Sequence, residues 1–135
     1  MSDAEFDTKL REIVAKDPRY ARNAYVFAFQ ALEYTMREYL KLSDTQRRHV
    51  SAQEILEGMR RFAIDQCGFM ARNVWESWGI YSTADWGNVI YNLIAANLMK
   101  QNDEDDLAQF RGVYSFDDAF DRNWTFSPGK TVSDG

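Results

Sequence analysis

The sequence predicts a mainly α-helical fold, a single domain of four to five helices with an irregular aromatic C-terminal segment. Three observations lead to this prediction. Apolar residues recur at helical spacing over several long segments, helix-start signals precede these segments, and the 135 residues include nine Phe, seven Tyr and four Trp, enough to fill one core. We place the domain at residues 1–126 and a disordered tail at residues 127–135.

The first two helices follow from apolar spacing and one proline. The first is predicted from Glu5 to Lys16, where Phe6, Leu10, Ile13 and Val14 share one face. Asp17 and Pro18 then have the character of an N-cap and a first helical residue, so the second helix is predicted from Arg19 to about Leu42. Its apolar surface is wider than one stripe, which is typical of a central helix or of a helix partly covered by a second chain.

A polar loop at residues 43–49 precedes the third predicted helix. Ser51 and Glu54 have the spacing of a capping box, in which each side chain bonds the other residue's backbone N–H. The apolar stripe that follows runs to Cys67, and Gly68 is placed to end the helix.

A short helix at Phe69–Trp78, closed by Gly79, is followed by a helix from Ser82 to about Lys100. This pair resembles a helix-turn-helix. After it, Asp103–Asp106 indicates a solvated acidic run. The segment Leu107–Phe126 indicates short turns, a brief helix capped by Ser115 and one or two short strands.

Composition limits the classes of function. The single cysteine, Cys67, excludes an internal disulfide and fits a reducing compartment, so we expect a cytoplasmic protein. No apolar run is long enough for a secretory signal or a membrane span. The net charge is −5, with 12 Lys/Arg and 11 Asp/Glu in residues 1–72 against 4 and 10 in residues 73–135. Net charge therefore disfavours nucleic acid, which only the first half could bind.

The basic residues of the first half are candidates for binding a partner or an anion; they are Arg47, Arg48, His49, Arg60 and Arg61. The alternative, which we favour, is a set of ion pairs along helices, such as Glu57–Arg61. His49, the one histidine, is more typical of a loop residue near a helix start than of a general base, since the sequence shows no group to orient it.

Metal and thiol chemistry have little support. Cys67 lies on the apolar face of its helix, as a small buried side chain would. One histidine and one cysteine cannot form a zinc site, and the acidic run lacks the ligand spacing of an EF-hand. The sequence predicts no metal, cofactor or catalytic residue.

The three tryptophans Trp75, Trp78 and Trp86 are core residues or the centre of an interface, where tryptophan is enriched. The helix that would read DNA begins STADWGNVIYNL and has Asp85 but no Lys or Arg before Lys100. Major-groove readers present basic or amide groups there. The sequence therefore predicts the helix-turn-helix shape and disfavours DNA as its ligand.

Four segments also resemble a known family: DPRYARNAYVFAFQALEYT, RHVSAQEILEGMRRFAIDQCG, WGIYSTADWGNVIYNLI and VYSFDDAF. In this order, from Asp17 to Phe120, the chain resembles a family of uncharacterised small bacterial proteins restricted to planctomycete and verrucomicrobial lineages. The resemblance implies no activity or cofactor. The chain departs from the expected family pattern at Ala52, where we expect glycine, and at Cys67 and Trp86, where we expect phenylalanine, which implies a packing role for the thiol.

The sequence thus leads to three hypotheses of function. The first is a non-enzymatic protein-interaction or adaptor module that binds a protein partner or a second copy of itself. The alternative is a helix-turn-helix-like regulator that touches nucleic acid through Arg47, Arg48, Arg60 and Arg61. The third, an enzyme that uses His49 with a nearby carboxylate, requires a concave site at His49.

Overall fold

The computed structural model describes residues 2–101 and 106–122 and confirms a mainly α-helical fold. The α-helices are α1 (Asp3–Lys16), α2 (Arg22–Tyr34), α3 (Ala52–Cys67), α4 (Ala71–Ser77) and α5 (Thr83–Ala95). π-helices cover Thr35–Tyr39, directly after α2, and Asp117–Arg122, and 3₁₀ turns cover Asp44–Gln46, Gly68–Met70 and Leu107–Phe110. The short strands predicted after residue 106 are absent from residues 106–122, which form helical turns instead. The predicted tail at 127–135 lies outside the described residues.

The core forms where α2, α3 and α5 pack together, with α1 against α2 and the Leu107–Phe110 turn against α5. At its centre lies Trp75, whose ring centroid is 5.1 Å from that of Trp86, 5.8 Å from Phe27 and 4.9 Å from Phe120. Trp75 and Trp86 are fully buried, which confirms the core interpretation for both. Trp78 is half-buried against Phe27, with 5.5 Å between ring centroids.

Side-chain hydrogen bonds hold the starts of α3, of α5 and of the last helical turn. The Glu54 N–H donates to Ser51 Oγ at 3.1 Å and the Ser51 N–H donates to Glu54 Oε1 at 2.9 Å, which confirms the predicted capping box. The Ser82 N–H donates to Asp85 Oδ2 at 3.2 Å at the start of α5. Ser115 accepts from the Asp118 N–H at 3.2 Å, as expected for the last helical turn.

The predicted start of the second helix is wrong by three residues. Asp17 ends α1, because its N–H donates to the Ile13 carbonyl at 2.9 Å, and α2 begins only at Arg22. Residues 18–20 instead form a turn that lies against the turn before α5. There the Ala21 N–H donates to the Trp78 carbonyl at 3.1 Å. This contact joins distant parts of the chain, so the local pattern around Pro18 could not reveal it.

The predicted end of α5 at Lys100 is also wrong, because the helix ends at Ala95. Asn97 adopts a positive φ of 60°, a conformation that asparagine tolerates better than most residues. The Leu98 N–H then donates to the Leu93 carbonyl at 2.9 Å, the bond expected of a Schellman motif. Residues 98–100 consequently leave the helix axis.

Polar side chains join the two turns to α5. Tyr20 donates to Asp85 Oδ1 at 2.6 Å and accepts from Asn88 Nδ2 at 2.9 Å, and burial raises the pKa of Tyr20 to about 12. Asp17 accepts from Arg19 Nε at 2.8 Å and from Asn92 Nδ2 at 2.9 Å. The hydrogen bonds from Arg19 hold the pKa of the Asp17 carboxyl well below its usual range.

These bonds predict a pH-dependent effect of Asp17→Asn. At pH 7 we expect the variant to lose about 1–3 kcal/mol of unfolding free energy, because the bonds to a charged acceptor are weakened. The folded-state pKa is depressed. The stabilisation by the carboxylate is therefore complete above the unfolded-state value near 3.9 and is lost as pH falls below it. Urea unfolding of wild type and variant from pH 7 to pH 2.5 should show that their difference in unfolding free energy narrows below about pH 4. A difference independent of pH would contradict this role.

Candidate functional site

The described residues form a groove of about 820 Å³, which we call the α2–α5 groove. A second cavity, of about 310 Å³, is much smaller. Phe29, Leu32 and Met36 line the groove from α2 and the π-helix after it, and Ile90, Tyr91 and Ile94 line it from α5. The other lining residues are Arg47, Arg48, His49, Val50, Ala52, Ile55, Leu98, Met99, Lys100 and Phe110.

The groove exists because α2 and α5 each carry two apolar rows. One row of α2, which includes Ala24, Phe27 and Ala31, is buried in the core. The second row, Phe29 and Leu32, is only half-buried and lines the groove. On α5, Ile90 and Ile94 are four residues apart and form the corresponding second row. The wide apolar surface noted in the sequence of α2 is thus divided between core and groove.

Three cations and a histidine line this groove, and no carboxylate does so among the described residues. Arg47 is paired with Glu33, and Arg48 with Glu54 at 3.0 Å; neither glutamate is part of the lining. Lys100 has no ion pair within residues 2–101 and 106–122. The groove is therefore apolar, with two ion-paired arginines and one lysine without an ion pair in its described lining, in a chain whose net charge is −5.

The structure separates the predicted basic residues into two groups. Arg47, Arg48 and His49 line the α2–α5 groove. Arg60 and Arg61 each pair with Glu57 at 2.8 Å, which confirms the predicted Glu57–Arg61 ion pair.

Glu57 is the ion-pair partner of the second group, Arg60 and Arg61. Burial opposes ionisation of its carboxyl, but the hydrogen bonds from both arginines outweigh burial and lower its pKa. Glu57 and Arg60 also line the second cavity, beside Tyr114. The Tyr114 hydroxyl donates to the Leu56 carbonyl at 2.8 Å, and burial raises the pKa of Tyr114. Arg60 Nη1 also donates to the Ala119 carbonyl at 3.3 Å. The bonds from Tyr114 and Arg60 together hold the C-terminal segment on α3.

His49 lies in a concave site, as the enzyme hypothesis requires, but the described lining gives it no carboxylate partner. It is exposed and lines the groove, so the site is concave. However, the carboxylates that reach the neighbouring arginines are engaged by them: Glu54 accepts from Arg48, and Glu33 accepts from Arg47. A general base needs an orienting partner within hydrogen-bond reach, and the described lining contains no carboxylate to serve as one.

Metal and thiol chemistry remain without support. The described residues contain no cluster of three or more His, Cys, Asp or Glu side chains able to hold a metal ion. Cys67 is half-buried and packs against the core, in agreement with the packing role inferred from its place on the apolar face.

The helix-turn-helix pair, α4 and α5, is present in order, but α5 is a core helix. Trp86, Val89 and Leu93 are buried, and Ala95 is the one residue of α5 that counts as exposed. Asp85, at the start of α5, is held by Tyr20. A DNA-recognition helix must present an exposed N-terminal face to the major groove, and α5 does not.

Comparisons with protein-family models, with curated proteins and with solved structures found no match for this chain. The resemblance to the planctomycete and verrucomicrobial family therefore remains a hypothesis. Within the described residues, no helix has the length and apolar character needed to cross a membrane.

The sequence did not predict that Leu98, Met99 and Lys100 belong to the candidate site. The helix predicted to Lys100 would contain Leu98 and Met99, but the turn at Asn97 takes all three residues out of the helix and into the groove lining. The signal that could have found the groove was the second apolar row of α2, together with Asn97 as a residue suited to a helix end.

Proposed function

We propose that this chain is a non-enzymatic interaction module whose partner-binding surface is the α2–α5 groove. The observation that carries the proposal is the lining itself: twelve of its sixteen residues are apolar, and the polar ones are Arg47, Arg48, His49 and Lys100. A concave apolar site with a few polar groups is typical of a binding site. The cytoplasmic location expected from the sequence and the family resemblance are part of the same proposal.

Physical chemistry favours occupation of such a groove. Covering apolar surface is favourable in water, by about 25 cal/mol for each Å² that a partner removes from solvent. The rigid core beneath α2 and α5 holds the groove open, because Ala24, Phe27, Trp86 and Leu93 fix the opposite faces of the two helices. A preformed site loses little conformational entropy when it binds. The regulator hypothesis gains no comparable support, since α5 is a core helix.

An uncharged apolar dye tests the groove directly. We expect Nile red to bind one site per chain with a rise in fluorescence, and Ile94→Glu to weaken this binding at least tenfold, because the new carboxylate stands in the apolar lining. Phe69→Glu is the matched control. Phe69 is 74% exposed and does not line the groove, so this variant should bind the dye as the wild type does.

Circular dichroism must show that both variants keep their helices and their cooperative melting. Equal dye affinity in the Ile94→Glu variant and the wild type would overturn the proposal, as would loss of dye binding on Phe69→Glu with the groove intact.

A further inference from the structure

We propose that the α2–α5 groove binds a free single-chain amphiphile with an anionic headgroup, of the long-chain carboxylate class. This inference rests on the proposed function and names the ligand for the same site. The apolar chain would lie between Ile90 and Ile94 on one side and Phe29 and Leu32 on the other. The headgroup would meet the cationic side chains, Lys100 foremost.

The size of the groove favours a small molecule. Sites for small ligands are clefts of about 300–1,000 Å³, and the groove is about 820 Å³. That volume is sufficient for one acyl chain.

The groove lining can adapt its shape to an acyl chain, which has many conformers. Met36, Leu98 and Met99 are unbranched or flexible side chains along the groove, and methionine in particular adapts its shape to irregular partners. Ala52, Ile55 and Phe110 are buried and present a firm apolar surface beneath them. The polar groups of the lining are the side chains of Arg47, Arg48, His49 and Lys100 and the Tyr91 hydroxyl.

The charges select the sign of the headgroup. Arg47 and Arg48 are held in place by Glu33 and Glu54, which lie outside the lining, and a guanidinium has five N–H donors. Arg48 uses Nη1 and Nη2 for Glu54 and keeps Nε uncommitted in the described structure. Lys100 adds an ammonium without an ion pair among the described residues. A carboxylate would find donors at this edge, and a cationic headgroup would be repelled.

The overall charge favours a free amphiphile over a charged surface. A chain with net charge −5 is repelled by an anionic membrane or by a strongly acidic partner. A single carboxylate experiences little of that long-range repulsion and still gains the local attraction of the groove edge.

The test is isothermal titration calorimetry of the full chain, at low ionic strength and below the micelle-forming concentrations. The probes are sodium dodecanoate, sodium octanoate and dodecyltrimethylammonium chloride. We expect dodecanoate to bind with one site and to displace Nile red. Octanoate should bind at least tenfold more weakly because it buries four fewer methylenes, and dodecyltrimethylammonium at least tenfold more weakly because its charge is reversed.

Two lysine variants test the headgroup contact. Lys100→Gln should weaken dodecanoate binding about fivefold, which is typical of one exposed charge contact, and should not weaken the binding of dodecyltrimethylammonium. Lys16→Gln removes the same charge from an exposed site outside the groove and should leave both affinities unchanged. Neither lysine has an ion pair in the described structure, so neither variant is expected to unfold the chain.

The outcomes separate this inference from the proposed function. If Nile red binds in the groove but dodecanoate and dodecyltrimethylammonium bind equally, the ligand class is wrong and the groove remains a binding site. Binding of phosphatidylserine vesicles without binding of free dodecanoate would overturn the inference in favour of a membrane surface. If neither the dye nor dodecanoate binds, both proposals fail.

Discussion

Replacement of Trp75 by alanine is expected to lower the free energy of unfolding by about 3–5 kcal/mol, the usual cost of removing a buried aromatic side chain. Trp75 is fully buried and its ring contacts aromatic rings from three other parts of the chain: Phe27 of α2, Trp86 of α5, and Phe116 and Phe120 of the C-terminal segment. Loss of the indole would leave a cavity that these rings, fixed on separate elements, cannot fill.

Two controls accompany this variant in urea unfolding. Trp78→Ala removes the same side chain from a half-buried position and should cost clearly less, about 1–2 kcal/mol. Trp75→Phe should recover much of the loss, because the Trp75 indole N–H has no hydrogen-bond partner in the described structure and its removal breaks no bond. If Trp75→Ala and Trp78→Ala cost the same, Trp75 is not the centre of the core.

Replacement of Gly79 by alanine is the second large expected effect, a loss of about 3 kcal/mol or more. Gly79 has φ +91°, which L-residues rarely adopt, and a Cβ there would lie 2.1 Å from the Arg19 carbonyl oxygen. The Arg19 carbonyl belongs to the backbone, so it cannot rotate away from the new Cβ as a side chain could. The turns at residues 18–20 and 78–79 would have to separate, which would break the bond from the Ala21 N–H to the Trp78 carbonyl.

Gly112→Ala isolates the conformational part of this effect. Gly112 also has a positive φ, of 62°, but a Cβ there would meet no atom within 4 Å. We expect this control to cost about 1–2 kcal/mol from backbone strain alone. Thermal or urea unfolding of the two variants should therefore differ by the cost of the contact with Arg19, and equal losses would show that the two turns are not held together.

Sequence reasoning succeeded where the determinants are local. Ser51 with Glu54, and Ser82 with Asp85, are separated by three residues, and the caps they form depend on little else. Gly68 and Gly79 also marked real helix ends with positive φ. Apolar spacing found the core faces of the helices because burial of one face is a property of the helix itself.

Sequence reasoning failed where contacts between distant segments determine the local structure. Asp17 and Pro18 have good helix-start chemistry, yet the docking of their turn onto the Trp78–Gly79 turn delays α2 to Arg22. The end of α5 depended on Asn97, a weaker signal than glycine.

The candidate site was predicted only in part. Arg47, Arg48 and His49 do lie at the groove, but the sequence joined them with Arg60 and Arg61, which pair with Glu57 instead. The groove itself was hidden, because a second apolar row on a helix looks the same in sequence whether it meets the chain's own core, a partner or an open cleft. Only the packing of α2 against α5 distinguishes these cases.

The isoleucine methyl spectrum offers the most direct test of the central claim, that the α2–α5 groove is the binding site. The chain has six isoleucines. Ile55, Ile90 and Ile94 line the groove, and Ile13, Ile64 and Ile80 do not. On titration with dodecanoate, the account predicts that the methyl resonances of the first three shift together and saturate at one equivalent, while those of the other three stay in place. Shifts confined to Ile13, Ile64 and Ile80, or no saturable shift of any methyl resonance with either dodecanoate or Nile red, would contradict it.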